Sequence, residues 1–201
     1  MKIHHVIFIV VVALAVYVGV NMNNENTIAI QGISNDNQAS STLPVNGSVE
    51  QTEALEEQQR DAFKRFYQNM YKFVHNFDEI DESTTSMAAQ NPSRNQQYEY
   101  FSKVKNAMEE GQKLPLTRLV PGGFSNSQTK IMNDSTTELY HAYQYRKFGY
   151  EHYLEYLETE SPKEYNTSVE WINSGNDSLR AVIINLEALR MELGYNELEN
   201  K

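Results

Sequence analysis

One stretch near the start of the chain, residues 3–20, constrains the protein more than any other. It has the sequence IHHVIFIVVVALAVYVGV and contains no Asp, Glu, Lys or Arg. A helix of this length spans roughly 27 Å, close to the hydrocarbon thickness of a bilayer. Its apolar side chains surround the helix on all sides, which is typical of a membrane helix or of a helix buried in a large core. We therefore predict an N-terminal transmembrane anchor at residues 1–20.

Cleavage as a secretory signal is the alternative to a retained anchor. The small-x-small sequence at residues 13–15 fits a cleavage site, but the apolar run continues beyond it and leaves no polar region before the cut. We therefore favour a retained, single-pass anchor. Lys2 precedes the apolar run, and the first basic residue after it is Arg60. Because basic flanks tend to stay in the cytoplasm, we expect a cytoplasmic N-terminus and an extracytoplasmic C-terminal part.

Composition limits the functions open to that C-terminal part. The chain has no cysteine, which excludes disulfides, thiolate metal sites and cysteine nucleophiles. Its net charge of −10 argues against binding to nucleic acid and against adhesion to anionic lipid, since both need basic patches. The abundance of asparagine together with the absence of cysteine favours a bacterial cell-envelope protein.

A polar segment, residues 21–47, follows the predicted anchor. It is rich in Asn, Ser, Gln and Thr and shows no hydrophobic period. Such a composition cannot bury enough apolar surface to fold, so we predict a flexible tether. The remaining residues, 48–201, are numerous enough to form one domain with its own core.

Helical periodicity dominates residues 48–201. A capping-box sequence, SVEQ, begins at residue 48, and apolar residues then recur every three or four positions as far as Phe77. The polar residues 78–91 are expected to form a loop. A second helix is predicted from Asn91-Pro92 to Gly111, with Tyr98 on its apolar stripe, and residues 113–127 are expected to form an ordered loop.

The second half of the domain is predicted to contain two long helices and a short one. The first long helix begins at Ser127 or at Ser135. Gly149 within it costs about 1 kcal/mol relative to alanine, so we expect a neighbour to approach it closely. The helix buries a seam of six residues, which are Leu139, Tyr143, Arg146, Tyr150, Tyr153 and Leu157. A short helix opens at Ser161-Pro162 and ends at Gly175. A last helix, capped by Asp177, buries a stripe of leucine, isoleucine and valine. No segment alternates in the manner of a strand, so we predict an all-α fold: the membrane helix, then an antiparallel bundle of four helices plus one short helix.

Tyrosine is unusually dense on the helix that carries the Leu139–Leu157 seam, and one seam position is charged. Arg146 cannot be buried without a partner, because an unpaired internal charge costs several kcal/mol. Three arrangements satisfy it: pairing with an acid such as Glu187, extension of the side chain to solvent, or binding of an anionic ligand. The ligand-binding hypothesis assigns the site to four residues, which are Tyr143, Arg146, Tyr150 and Tyr153.

Metal-ligating patterns are weak in the sequence. Glu138 and His141 form one E-x-x-H pair, whereas ferritin-like sites need two such pairs and further inward-facing glutamates. His152 and Glu155 are also three residues apart, but the sequence offers them no evident partner. We therefore predict no metal site, no cofactor and no catalytic residues.

The function most consistent with these features is binding. We expect a membrane-anchored, extracytoplasmic helical module that contacts another envelope protein or a second copy of itself, and that contacts the membrane through residues 3–20. The tyrosine-rich helix is the candidate interaction surface, since tyrosine offers a large contact area with a polar tip. A ligand-sensing bundle for a small anion is the first alternative, and an enzyme or metal carrier is the second.

Overall fold

A computed structural model describes residues 48–195 of the chain, with side chains described from residue 54 onward. This part consists of four long helices, namely α1 (Ser48–Ala89), α2 (Arg94–Gln112), α3 (Asn126–Thr159) and α4 (Pro162–Glu192), with a short 3-10 helix at Leu116–Leu119 between α2 and α3. The described residues contain no strand, so the all-α prediction is confirmed for them. The predicted anchor and tether, residues 1–47, lie outside the described residues. No helix within the described part combines the length and apolar character required to cross a membrane.

Side-chain contacts give the directions of the helices. Tyr100 of α2 hydrogen-bonds to Thr84 near the end of α1, and Tyr153 of α3 hydrogen-bonds to Gln97 near the start of α2. His152, near the end of α3, contacts Glu164 at the start of α4. Each helix therefore runs opposite to the one before it, which gives an up-down-up-down bundle.

Large apolar side chains fill the centre of this bundle. All six predicted seam residues of α3 from Leu139 to Leu157 are buried, and the predicted stripe of α1 is buried except for a partly exposed Phe73. The predicted apolar stripe of α2 is partly wrong, since Tyr98 is exposed and Gln97 is buried in its place. Apolar periodicity thus identified most of the core.

Close approach of α3 and α4 depends on two glycines. A Cβ atom at Gly149 would lie 2.5 Å from Cγ1 of Ile172, and one at Gly175 would lie 2.6 Å from Cγ of Arg146. The expectation that a neighbour approaches Gly149 closely is confirmed. The expectation that Gly175 ends a short helix is wrong, because α4 continues through it to Glu192.

Helix α1 is also longer than predicted, since residues 78–89 continue it instead of forming a loop. Asp81 and Thr84 of this extension are buried, and both are hydrogen-bonded to other helices. The helix starts are close to the predictions but differ in detail. Ser93 caps α2 and Ser125 caps α3, each through a capping box with the glutamine three residues later.

Candidate functional site

Arg146 lies in the interior of the bundle, where three helices contribute to its surroundings. Its Nη1 and Nη2 atoms donate to the two carboxylate oxygens of Asp81 on α1, at 2.6 and 2.9 Å. Nη2 also donates to Oδ1 of Asn176 on α4, at 2.5 Å. The guanidinium carbon is 5.1 Å from the ring centroid of Phe77. The absence of a Cβ at Gly175 leaves room for the stem of the arginine side chain.

The pairing with Asp81 decides between the arrangements considered for Arg146. The side chain is 3% exposed, so extension to solvent is wrong. An internal pair is present, although the acid is Asp81 and not Glu187. Burial by itself lowers the pKa of Arg146, but the charge and hydrogen bonds of Asp81 together with the neighbouring Tyr150 outweigh burial, and the pKa is raised. An anionic ligand would have to displace Asp81 or Asn176, so the geometry favours the internal pair.

Three tyrosines of the hypothetical ligand site surround or extend this cluster, and burial raises the pKa of each one. Tyr143 packs on Phe77, and its pKa is raised to about 12. Tyr150 is buried next to the guanidinium and forms no hydrogen bond of normal geometry through its hydroxyl. Tyr153 lies farther along α3 and donates to Oε1 of Gln97, at 2.8 Å. As a ligand-binding set, these residues together with Arg146 stay a prediction.

Glu187, the acid expected to pair with Arg146, belongs to a separate cluster. It accepts hydrogen bonds from Tyr67 and Tyr71 of α1 at 2.5 and 2.8 Å, and from Nε of Arg190 at 2.8 Å. Partial burial raises the pKa of the Glu187 carboxyl, but these three donors outweigh burial and the pKa is lowered. The carboxylate therefore ties α4 to α1.

A second candidate site lies on the outer side of α3 and α4, where a row of aromatic rings is only partly covered. Trp171, the only tryptophan of the chain, lies 5.4 Å from both Tyr145 and Phe148 between ring centroids. His141 stacks on Tyr145 at 5.6 Å and is adjacent to the exposed Tyr140. These five residues, which we call the aromatic face, are Tyr140, His141, Tyr145, Phe148 and Trp171.

The aromatic face is a surface feature, and not a part of the core. Tyr140 is 39% exposed, and the other four residues are partly exposed. Lys147 lies beside it, with Nζ 5.7 Å from the Phe148 ring centroid and 3.4 Å from a carboxylate oxygen of Glu151. The sequence indicated the tyrosines, but the contribution of Trp171 from α4 depends on the pairing of the helices.

A third cluster contains side chains that can ligate a metal. His152 and Glu155 of α3 meet Glu164 of α4, and one ligand atom from each lies within 4.8 Å of the others. The expectation that His152 and Glu155 lack a partner is wrong, because the α3–α4 turn brings Glu164 to them. The other histidine pattern, Glu138 with His141, is a single pair at 3.8 Å.

Comparisons with protein-family models, curated proteins and solved structures find no significant match for this chain.

Proposed function

We propose that this chain is a membrane-anchored helical module of the cell envelope that acts by binding a protein partner outside the cytoplasm, and not by catalysis. The partner is another envelope protein or a second copy of the chain. The observation that carries the proposal is the aromatic face, which presents five partly exposed rings on two rigidly packed helices.

The composition of the aromatic face supports a role in protein binding. Interface centres are enriched in tyrosine, tryptophan and phenylalanine, and single tyrosine or tryptophan residues often dominate binding energies. Rings that already pack on one another lose little conformational freedom when a partner covers them. The polar tips of Tyr140 and Tyr145 remain able to hydrogen-bond at the rim.

The membrane part of the proposal has support from the sequence alone. The uncharged run of residues 3–20 is long enough to span a bilayer, and the basic residue nearest to it is Lys2. The polar segment 21–47 would then hold the bundle near the membrane without fixing its orientation. Protease added to intact cells should therefore remove the bundle, and full protection of the bundle would contradict this orientation.

Site-specific photo-crosslinking tests the binding surface. A photoreactive phenylalanine analogue replaces Tyr145 in the full chain, and in a matched control it replaces Ile184, which is 59% exposed and lies elsewhere on α4. We expect a discrete crosslinked product in cells for position 145 and none for position 184. The mass of the product distinguishes a second copy of the chain from another protein.

The partner identified by crosslinking is then pulled down with variants that carry no photoreactive residue. Tyr140→Ala and Tyr145→Ala should each recover less of the partner after membrane solubilisation, whereas Ile184→Ala should recover as much as the wild type. Unchanged helical circular dichroism shows that each variant is folded. Equal crosslinking at positions 145 and 184, or full recovery by the tyrosine variants, would refute the aromatic face as the binding surface.

A further inference from the structure

The turn between α3 and α4 brings together one imidazole and two carboxylates that the sequence alone did not associate. His152 and Glu155 are three residues apart on α3, and Glu164 lies in the first turn of α4. Nδ1 of His152 is 2.7 Å from Oε2 of Glu164. One ligand atom from each of the three residues lies within 4.8 Å of the other two.

This donor set is suited to a divalent transition-metal ion such as zinc. Zinc accepts histidine nitrogen and carboxylate oxygen at about 2.0–2.2 Å, so the ligand atoms of a tetrahedral site are about 3.4 Å apart. Closing a separation of up to 4.8 Å to that spacing takes a movement of about 1.4 Å. Glu155 is exposed and its side chain is free to make such a movement. Three protein ligands leave the fourth position to water.

The scaffold around the three residues is rigid enough to support a site. Only Glu160 and Ser161 separate α3 from α4, and Tyr156 packs against Tyr165 across the turn with ring centroids 5.3 Å apart. The Glu164 side chain is 14% exposed and that of His152 is 33% exposed. Two of the three ligands are thus held in place by the fold itself.

An internal ion pair explains His152 and Glu164 but not Glu155. Within the described part of the chain, the Glu155 carboxylate forms no ion pair, yet it lies close to a second carboxylate. Two neighbouring carboxylates repel each other, and a cation held between them relieves that repulsion. A divalent ion removes that repulsion and satisfies all three side chains.

We propose that His152, Glu155 and Glu164 form a binding site for a divalent transition-metal ion, with zinc the ion best suited to the donors, and that the bound ion clamps the α3–α4 turn. The site is distinct from the aromatic face and does not depend on the proposed function. The bound ion stabilises the folded bundle because it is held by residues of both helices.

Zinc titration tests this site. The full chain is purified in detergent without a histidine tag, and zinc binding is measured by calorimetry, with Co²⁺ absorption as a second readout of the ligand set. We expect one zinc ion per chain at this site and a rise in the melting temperature. The variants Glu155→Gln and His152→Ala should each weaken binding at least about tenfold.

Matched variants separate this site from unrelated binding, because the chain contains five histidines. His75→Ala removes an exposed histidine that lies 3.6 Å from one glutamate, Glu79, and it should leave zinc affinity unchanged. Glu155→Gln preserves the His152–Glu164 pair, so its effect reports ligation and not folding. Wild-type affinity in Glu155→Gln, an equal loss in His75→Ala, or no zinc binding by the wild type would each overturn the proposal.

Discussion

Breaking the buried Arg146–Asp81 pair should destabilise the bundle strongly from either side. The two side chains are 3% and 6% exposed, so whichever charge is left behind has little access to water. Loss of one partner of such a pair costs about 3–5 kcal/mol, mainly because the other charge remains buried. We therefore expect Arg146→Met and Asp81→Asn each to lower the free energy of unfolding by about that amount.

The double variant measures the interaction itself. When both charges are gone, neither is left unpaired, so the loss in Asp81→Asn/Arg146→Met should be smaller than the sum of the single losses by about 2–3 kcal/mol. Urea unfolding of the full chain in detergent provides the free energies. The fluorescence of Trp171 is a suitable signal, because this α4 ring packs on Tyr145 and Phe148 of α3 and the chain has no other tryptophan.

An exposed ion pair of the same length provides the matched control. Lys130 and Asp134 lie 2.6 Å apart, the same distance as the shorter Arg146–Asp81 contact, but their side chains are 74% and 49% exposed. Single and double variants of this exposed pair should give an interaction energy of about 0.3–0.5 kcal/mol. Similar couplings for the two pairs, or single losses below about 1 kcal/mol at Arg146 and Asp81, would refute the argument from burial.

Three further predictions concern stability. Leu186 is completely buried, so Leu186→Ala should cost about 2–5 kcal/mol in urea unfolding; a loss below about 1 kcal/mol would contradict this register of α4. Gly149→Ala should cost about 1–3 kcal/mol through overpacking, whereas Gly122→Ala, where a Cβ has open space, should be nearly neutral; the reverse order would contradict the close approach of α3 and α4. The pKa of Glu187 is lowered in the folded state from 4.5, so the ionised carboxylate adds to the free energy of unfolding above that pH. This stabilisation is lost as the pH falls through the folded-state pKa. Melting temperatures between about pH 5 and pH 3 should therefore fall more steeply for the wild type than for Glu187→Gln, while the exposed control Glu57→Gln should follow the wild type.

The parts of the fold that the sequence predicts are those whose burial is apolar. On α1 and α3, aromatic and aliphatic residues recur at helical spacing, and nearly all of them are buried as expected. The close approach at Gly149 was also predictable, since a glycine inside a strong helical pattern needs a packing reason. The spacing of apolar residues along each helix therefore identified the core residues of α1 and α3.

The errors occur where burial is polar or where a glycine lies inside a helix. Residues 78–89 have a polar composition typical of a loop, but Asp81 and Thr84 are buried and paired with Arg146 and Tyr100. A glycine such as Gly175 is typical of a helix end, but α4 continues through this position and packs closely on Arg146 there. In both cases tertiary contacts outweigh local propensity.

For the candidate site around Arg146, the sequence likewise did not predict which residue pairs with the arginine. Arg146 was identified as an internal charge that needs an acid, but Asp81 is 65 residues away, and only the packing of the bundle selects it from the many acids of the chain. Glu187 lies on a suitable helix, yet two tyrosines of α1 and Arg190 occupy its oxygens. Periodicity gives the face of a residue, whereas its partner depends on how the helices are arranged.

Polar bonds join α1 to each of the other three helices. The α3–α4 contact combines close packing at glycines with two polar contacts, from Arg146 to Asn176 and from His152 to Glu164. Helix α1 bonds to α2 through Thr84, to α3 through Asp81 and to α4 through Tyr67 and Tyr71. A shift of α1 by one turn, about 5.4 Å, would break all of these bonds together and leave the Arg146 charge unpaired. We infer that these directional bonds fix the register of α1, the helix through which the predicted tether joins the bundle.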